Sequence, residues 1–226
     1  ESIVIPETYK GQPVTCIVDE GFSCSSGFSS RPNNLKKITI GNNVKVIGKR
    51  AFYNCKSLEE ITFPSHLETI DEYAFCRCAS LKSIRIPDSV TRLGMCAFRE
   101  CHGLETVILS NSLTEISLVF DQCSSLQSIS IPRSVKKISC RAFENCTSLR
   151  ELYIPSTVEK IGEGAFHCCS SLDRITVSKD NPFYDSRDNC NAIIKSDNNS
   201  LILGCAGTII PDSVTEISNY AFSGSR

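Results

Sequence analysis

The residues in this sequence with the most obvious capacity for chemistry are its 14 cysteines. Six of them occupy one position of a repeating pattern: Cys55, Cys78, Cys101, Cys123, Cys146 and Cys169. Cysteines that bind a metal ion come in short motifs such as C-x-x-C, whereas these lie 22 or 23 residues apart. A line of parallel side chains cannot surround a tetrahedral ion, and it opposes the torsion of about 90° that a disulfide requires. We therefore predict buried thiols that pack as small apolar groups.

The other eight cysteines lie outside that column, at positions 16, 24, 76, 96, 140, 168, 190 and 205. Cys190 and Cys205 flank a predicted hairpin and are the one pair for which a disulfide is a candidate. Free thiols are the favoured interpretation of this pair, but the sequence leaves its state open.

Histidines and an acidic loop are the remaining candidates for chemistry. His66, His102 and His167 occupy different columns of the pattern, and nothing places a nucleophile beside any of them with a carboxylate behind it. Residues 180–189 are rich in Asp and Asn but lack the Gly and the closing Glu of an EF-hand, so a solvated turn is favoured over a calcium site. The sequence therefore predicts no enzyme, no metal site and no cofactor.

The charge and hydropathy of the chain argue against several classes of partner. Lys and Arg number 24 and Asp and Glu 25, which gives a formal net charge of -1 without a block of like charge. Binding to nucleic acid or to an acidic membrane surface is therefore not expected. No run of 18 apolar residues is present, so no membrane insertion is predicted. The first residues lack the features of a secretory signal, and both ends interrupt the pattern, which predicts a segment of a longer protein.

The cysteine column belongs to a repeat that fills nearly the whole chain. Eight of the eleven phenylalanines align at one position of it: Phe22, Phe52, Phe75, Phe98, Phe120, Phe143, Phe166 and Phe222. From Phe52 to Phe166 the spacing is 23, 23, 22, 23 and 23 residues, and such a fixed period indicates a solenoid. One unit has too few apolar groups for a core, so its inner face must be covered by its neighbours, with the phenylalanines forming a continuous spine.

Each repeat unit predicts a strand, a turn and a short arm. An apolar pair such as Ile84 and Ile86 alternates as a strand with one buried face, and a proline such as Pro87 ends it. A Gly, Asp or Ser four residues before the Phe is suited to starting a single helical turn that carries Ala-Phe. The predicted fold class is an α/β repeat solenoid, a coil stack with a parallel β-sheet on one face and short helical turns on the other.

We predict a single domain over residues 1–226 with four parts. Residues 1–37 form an extended first coil with extra material at 7–13 and 25–34, and residues 38–177 form regular repeats of 22–23 residues. Residues 178–210 form a long variant coil that lacks Ala-Phe and contains a hairpin, because apolar runs at 192–194 and 201–203 enclose a polar turn. Residues 211–226 form a truncated last repeat.

The pattern L-x-x-I-x-I-P-x-x-V-x-x-I-x-x-x-A-F-x-x-C, the opening segment IPETYKGQPVTCI and the long coil NPFYDSRDNCNAIIKSDNNSLILGC resemble the BspA-type leucine-rich repeats of bacterial, and some protist, surface proteins. The long coil looks most like versions in gut anaerobes of the Bacteroides kind. The resemblance implies a right-handed solenoid that is exported to the cell surface or secreted and is linked to adhesion, host-protein binding or cohesion between cells. This chain departs from the pattern at Val18, Val119 and Ser225.

The units differ most on the outward side of the predicted strands. The residue between the two inward positions reads, along the chain, Thr39, Thr62, Arg85, Ile108, Ser130, Tyr153 and Thr176. Variation on a regular frame is typical of a repeat array that presents a binding surface, although a merely solvated face is the alternative. Exposed Arg and aromatic side chains are enriched at interface hot spots. The predicted binding residues are Arg85, Ile108, Tyr153, Glu151, Arg174 and Thr62.

The residues and the resemblance together predict a non-catalytic cell-surface or secreted module. It would mediate protein binding or adhesion through the strand face, with a host or extracellular-matrix protein as the candidate partner. The alternative is a structural spacer, or the weakly self-associating stalk of a larger surface protein. A carbohydrate ligand is disfavoured because the chain has no Trp and no evident aromatic platform.

Overall fold

The computed structural model of the protein describes residues 1–24 and 34–225 and shows a stack of coils. The extra segment predicted at residues 25–34 of the first coil lies, apart from Asn34, outside the described residues. Each regular coil contributes one strand to the strand face and a second, shorter strand to the arm that follows the turn. Strands are numbered along the chain.

Successive coils place their first strands side by side on the strand face. These strands are β1 (Ser2–Ile5), β5 (Lys37–Ile40), β7 (Glu60–Thr62), β9 (Ser83–Arg85), β11 (Thr106–Ile108), β13 (Ser128–Ile129), β15 (Glu151–Ile154) and β17 (Arg174–Val177). They pair in parallel as a three-stranded sheet, β1-β5-β7, and a five-stranded sheet, β9-β11-β13-β15-β17. The predicted parallel sheet is confirmed.

The arms carry a second series of strands, each two residues long. They are β4 (Cys16–Ile17), β6 (Val46–Ile47), β8 (Thr69–Ile70), β10 (Arg92–Leu93), β12 (Glu115–Ile116), β14 (Lys137–Ile138), β16 (Lys160–Ile161) and β21 (Glu216–Ile217). Two parallel sheets result, β4-β6-β8-β10 and β12-β14-β16. A small hairpin of β2 (Thr8–Tyr9) and β3 (Gln12–Pro13) stands apart in the first coil.

The long coil contains the predicted hairpin. It consists of β18 (Tyr184–Asp185), a short 3-10 helix (Arg187–Asn189), β19 (Ala192–Lys195) and β20 (Ser200–Gly204), and β19 pairs antiparallel with β18 and β20. β20 then pairs in parallel with β21, so the stack resumes beyond it. Cys190 and Cys205 are buried free thiols, and their sulfurs approach different carbonyls, those of Ala192 at 4.0 Å and Asn191 at 3.6 Å.

The phenylalanine side chains form the predicted spine. Seven rings, from Phe22 to Phe166, stack with centroid separations between 5.0 and 5.9 Å and interplanar angles between 3° and 11°. The rings from Phe52 to Phe143 are completely buried. Phe222 is not part of the stack, because the long coil lies between it and Phe166. Its ring lies against Gly204, where a Cβ would come within 2.4 Å of it.

The prediction that the arms contain helical turns is wrong. The one helix in the described part of the chain is the 3-10 helix of the long coil, and the Ala-Phe segments are successions of tight turns. In the arm of Phe98, the flanking residues Cys96 and Glu100 have φ of 59° and 58°. This redirects the backbone, so that the N–H groups of all three residues donate to carbonyls of the next coil. Gly, Asp and Ser favour turns as well as helix starts, so their position before the Phe did not distinguish a helical turn from the tight turns observed.

The six column cysteines complete a further ladder between coils. Each thiol donates to the Phe carbonyl of the preceding coil at 3.1–3.3 Å, as Cys101 Sγ does to the Phe75 carbonyl. The same carbonyl accepts the N–H of Cys78 at 3.2 Å, so both of its lone pairs are used. The predicted burial of these thiols is confirmed. The thiol acts as a small apolar group with a hydrogen-bond donor, which Ala would lack.

Burial makes the thiols of this column unreactive as nucleophiles. It raises the pKa of the Cys78, Cys123 and Cys146 thiols well above the ordinary value, and it raises the pKa of Cys169 from 9.0 to about 12. Since the thiolate is the reactive species, these groups are inert near neutral pH.

Replacing Phe98 by Ala removes a completely buried ring from the middle of the stack. We expect the free energy of unfolding, measured by urea denaturation, to fall by about 3–5 kcal/mol. Phe183 lies outside the stack and is half exposed, so Phe183→Ala is the matched control and should cost less than about 1 kcal/mol. Equal losses in the two variants would contradict a core built on the spine.

The free energy of unfolding should also fall as the pH rises from about 9 to about 12. The Cys169 thiol ionises near its ordinary pKa of 9.0 when unfolded but only at about 12 when folded. The stability that this thiol provides is therefore complete below about pH 9 and is lost as the pH rises towards about 12. Urea titrations at several alkaline pH values should show a shallower loss for Cys169→Ala than for the wild type. Parallel curves would mean that this thiol does not contribute.

Candidate functional site

The parallel register places the outward residues of the strand face in two rows. In the first row Thr39 pairs with Thr62, Arg85 with Ile108, and Tyr153 with Thr176. The second row runs without a break through Ser83, Thr106, Ser128, Glu151 and Arg174. Strand pairing fixes the backbone under both rows, so the side chains stand on a rigid frame.

A shallow hollow of about 210 Å³ lies on this face, and we call it the strand-face hollow. Its polar and aromatic lining consists of Ser128, Ser130, Glu151, Tyr153, Arg174 and Thr176. It exists because two small serines stand beside the larger side chains of the next two strands. Three of the predicted binding residues, Glu151, Tyr153 and Arg174, meet at this point, and the Tyr153 ring is 51% exposed.

Arg85 and Ile108 form a second group, on the other side of the serines. They are direct partners in adjacent strands, and Ile108 is 48% exposed. Arg85 is exposed and forms no ion pair with any residue that the structure describes. Thr62 is exposed at the edge strand of the three-stranded sheet and belongs to neither group.

The charges of the strand face are largely paired between neighbouring coils. Arg174 Nη1 lies 3.1 Å from Glu151 Oε1, and Lys37 Nζ lies 2.6 Å from Glu60 Oε2. Both pairs are well exposed to water, so each contributes only about 0–1 kcal/mol to stability. The pair of Arg174 and Glu151 leaves the lining of the hollow without net charge.

The arm face also carries aromatic residues, but these are already engaged. The Arg50 guanidinium lies 5.7 Å from the Tyr53 ring centroid and 5.6 Å from that of Tyr73, and Arg77 lies 5.8 Å from Tyr53. Within the described ranges Tyr153 has no comparable cation or ring contact. The strand face therefore offers the more available aromatic group. The cluster on the arms was not predicted, because its members are brought together only by the stacking of the coils.

Metal and catalytic candidates do not converge in the described part of the chain. No group of three or more His, Cys, Asp or Glu side chains there could hold a metal ion. Although burial would raise it, hydrogen bonds from Arg187 hold the pKa of Asp185 in the acidic loop below its ordinary value. His66 and His102 are exposed and His167 is half-buried.

No helix among residues 1–24 and 34–225 has both the length and the apolar character needed to span a membrane.

The chain matches the family model of the BspA type leucine rich repeat region in six copies, over residues 24–119 and 117–193. Among solved structures it is similar to the leucine rich repeat protein of T. pallidum, with 30% identity over 76% of this chain and 78% of that one and a TM-score of 0.65. A comparison with curated proteins finds no match.

Two larger proteins share the fold. A leucine rich cell surface protein from Faecalibacterium prausnitzii is 26% identical over 99% of this chain and 60% of its own, with a TM-score of 0.64. The pneumococcal vaccine antigen PcpA is 24% identical over 98% of this chain and 52% of its own, with a TM-score of 0.62. The chain thus spans little more than half the length of these two proteins.

Proposed function

The chain belongs to the family of BspA-type leucine-rich repeat proteins, and from this premise we propose that it is a non-catalytic module that binds a protein partner through its strand face. The observation that carries the proposal is the pair of exposed anchors, Ile108 and Tyr153, on either side of small serines on a rigid sheet. Protein interfaces have this composition, with apolar or aromatic anchors at the centre and paired charges at the rim.

The dimensions of the site favour a protein over a small molecule. The hollow of about 210 Å³ is smaller than the range of about 300–1,000 Å³ that is usual for small-molecule pockets. Ile108 and Tyr153 stand two strands apart, which is roughly 10 Å at a strand spacing of about 4.8 Å. A partner that reaches both anchors and Arg85 must cover an extended surface. The ordered sheet lowers the entropic cost of such a contact.

The place of action that we propose is the cell surface or the extracellular space. The F. prausnitzii relative is described as a cell surface protein, and this supports the same location here. Adhesion to a host or extracellular-matrix protein is the finer form of the proposal, with Glu151, Arg174 and Thr62 as peripheral contacts. Residues 1–226 would act as one unit, since coils that share a core cannot separate independently.

Changing Arg85, Ile108 and Tyr153 together to Ala should weaken binding by about 100-fold or more, because interface energy is concentrated in a few anchors. Surface plasmon resonance of the wild type against a panel of immobilised host and extracellular-matrix proteins first identifies a partner. The dissociation constants of the wild type and the variant for that partner are then compared. The matched control is Arg92→Ala, Met95→Ala and Tyr9→Ala, which removes exposed residues elsewhere. Unchanged affinity in the first variant, with an unchanged melting temperature, would contradict the proposal.

The spacer or stalk alternative draws support from exposed apolar residues at the end of the long coil and in the last coil. Ile209 is 75% exposed and Ile217 is 53% exposed there, and a further coil or a second copy would cover them. Under the leading proposal we expect sedimentation velocity to show a monomer across a wide concentration series. A concentration-dependent dimer that Ile209→Glu and Ile217→Glu abolish would favour the stalk instead.

A further inference from the structure

The hydrogen bond that each spine Phe donates from its N–H group to the next arm is missing after the arm of Phe166. In the preceding coils the Phe N–H donates to a carbonyl of the next arm, as Phe75 does to Ala97 and Phe143 does to Ala165, both at 2.8 Å. The N–H groups of Gly164 and Phe166 have no hydrogen-bond partner among the residues that the structure describes. Leu118 and Arg141, at the repeat position of Gly164, also lack one there, so the free Phe166 N–H is what distinguishes this place. The long coil satisfies only one donor nearby, the Ile161 N–H, which donates to the Tyr184 hydroxyl at 2.8 Å.

The opposite wall of the interruption offers an acceptor. Asn219 occupies the repeat position of Glu72 and Met95, whose carbonyls accept the N–H groups of Arg50 at 2.9 Å and Tyr73 at 3.0 Å. Within the described ranges the Asn219 carbonyl accepts no hydrogen bond. One end of the gap is closed, because the Cys168 N–H donates directly to the Ser223 carbonyl at 3.2 Å. The result is a wedge with main-chain donors on one wall and a main-chain acceptor on the other.

This wedge, which we call the inter-arm cleft, encloses about 340 Å³ between residues 161–167 and residues 216–220. Its volume falls within the range of about 300–1,000 Å³ that is usual for ligand sites. Ile202 and Leu203 of β20 also line it. Regular coils fill the corresponding place with the main chain of the next arm, so the cleft has walls suited to an extended peptide.

The chemistry of the lining is acidic and aromatic. Glu163 and Glu216 line the cleft, and no Lys or Arg does. The rings of His167 and Tyr220 meet edge-on with centroids 4.8 Å apart, and the Asn219 amide donates to Glu163 Oε1 at 3.1 Å. Two carboxylates beside a tyrosine ring attract a cationic side chain through charge and through cation–π contact.

We propose that the inter-arm cleft is a second binding site, for an extended peptide segment that carries a basic side chain. Carbonyls of the peptide accept the N–H groups of Gly164 and Phe166, and a peptide N–H donates to the Asn219 carbonyl, as in strand addition to an open edge. The basic side chain pairs with Glu163 and Glu216 and lies against Tyr220. The site is separate from the strand face and does not depend on the function proposed there.

The test is amide NMR of the whole chain titrated with acetyl-Gly-Gly-Arg-Gly-Gly-amide and with the same peptide carrying Glu in place of Arg. We expect the Arg peptide to shift the amides of Gly164 and Phe166 in a saturable way and to leave that of Phe75 unchanged. The Glu peptide should bind about tenfold more weakly or not at all, since each exposed charge contact is worth up to about 1 kcal/mol.

Variants separate this site from other causes of binding. The double variant Glu163→Gln, Glu216→Gln should bind the Arg peptide about tenfold more weakly than the wild type. The matched double variant Glu68→Gln, Glu105→Gln should bind it with unchanged affinity. The triple Ala variant of the strand face should retain full binding. Unshifted Gly164 and Phe166 amides, equal binding of the two peptides, or equal affinity in the two Gln variants would each overturn the proposal.

Discussion

Every coil of this protein depends on the next one for both its apolar cover and its hydrogen bonds. The stacked rings show the first dependence, because each phenylalanine is buried by the rings before and after it. The arms show the second, because tight turns with positive φ direct alternate N–H groups along the stack. An L-residue in that conformation costs about 1–2 kcal/mol. The bonds that it allows to the next coil offset this cost.

This constraint explains why the outward side of the strands can carry recognition. Inward positions are packed against two neighbouring coils and tolerate little change, whereas the side chains of Arg85, Ile108 and Tyr153 are exposed. Charged residues on the coil surface are mostly paired across one repeat, as in Lys82 with Glu105 and Lys136 with Glu159. Ile108 and Tyr153 are therefore notable as large apolar or aromatic side chains that are about half exposed on this face.

The sequence predicted those features that repeat with the period of the coil. The phenylalanine spine, the parallel strands and the buried cysteines follow from apolar residues at a fixed spacing. The conformation of the arms does not, because positive φ falls on Cys96, Glu100 and Arg141, which no propensity assigns to the left-handed region.

Only part of the candidate site could be predicted from the sequence, because its shape depends on which residues of different coils lie side by side. Large outward residues such as Tyr153 are visible in a sequence, and their column follows from the strand alternation. The hollow depends instead on the small size of Ser128 and Ser130 beside that ring, which requires the register between strands. The hydrogen bond from each thiol to the Phe carbonyl of the preceding coil likewise needs three-dimensional contact between residues 25 or more positions apart. The missing Ala-Phe of residues 178–210 was the one sign in the sequence that the arm ladder would be broken.

That break is stabilised on both sides, which distinguishes it from a local packing defect. Before it, the buried amide of Asn181 donates to the carbonyls of Pro155 and Val158 and accepts the N–H groups of Phe183 and Tyr184. Beyond it, β20 provides the pairing edge on which β21 resumes the stack. By inserting a hairpin between two arms, this chain leaves the Phe166 N–H and the Asn219 carbonyl without partners inside the described stack, rather than at one of its ends.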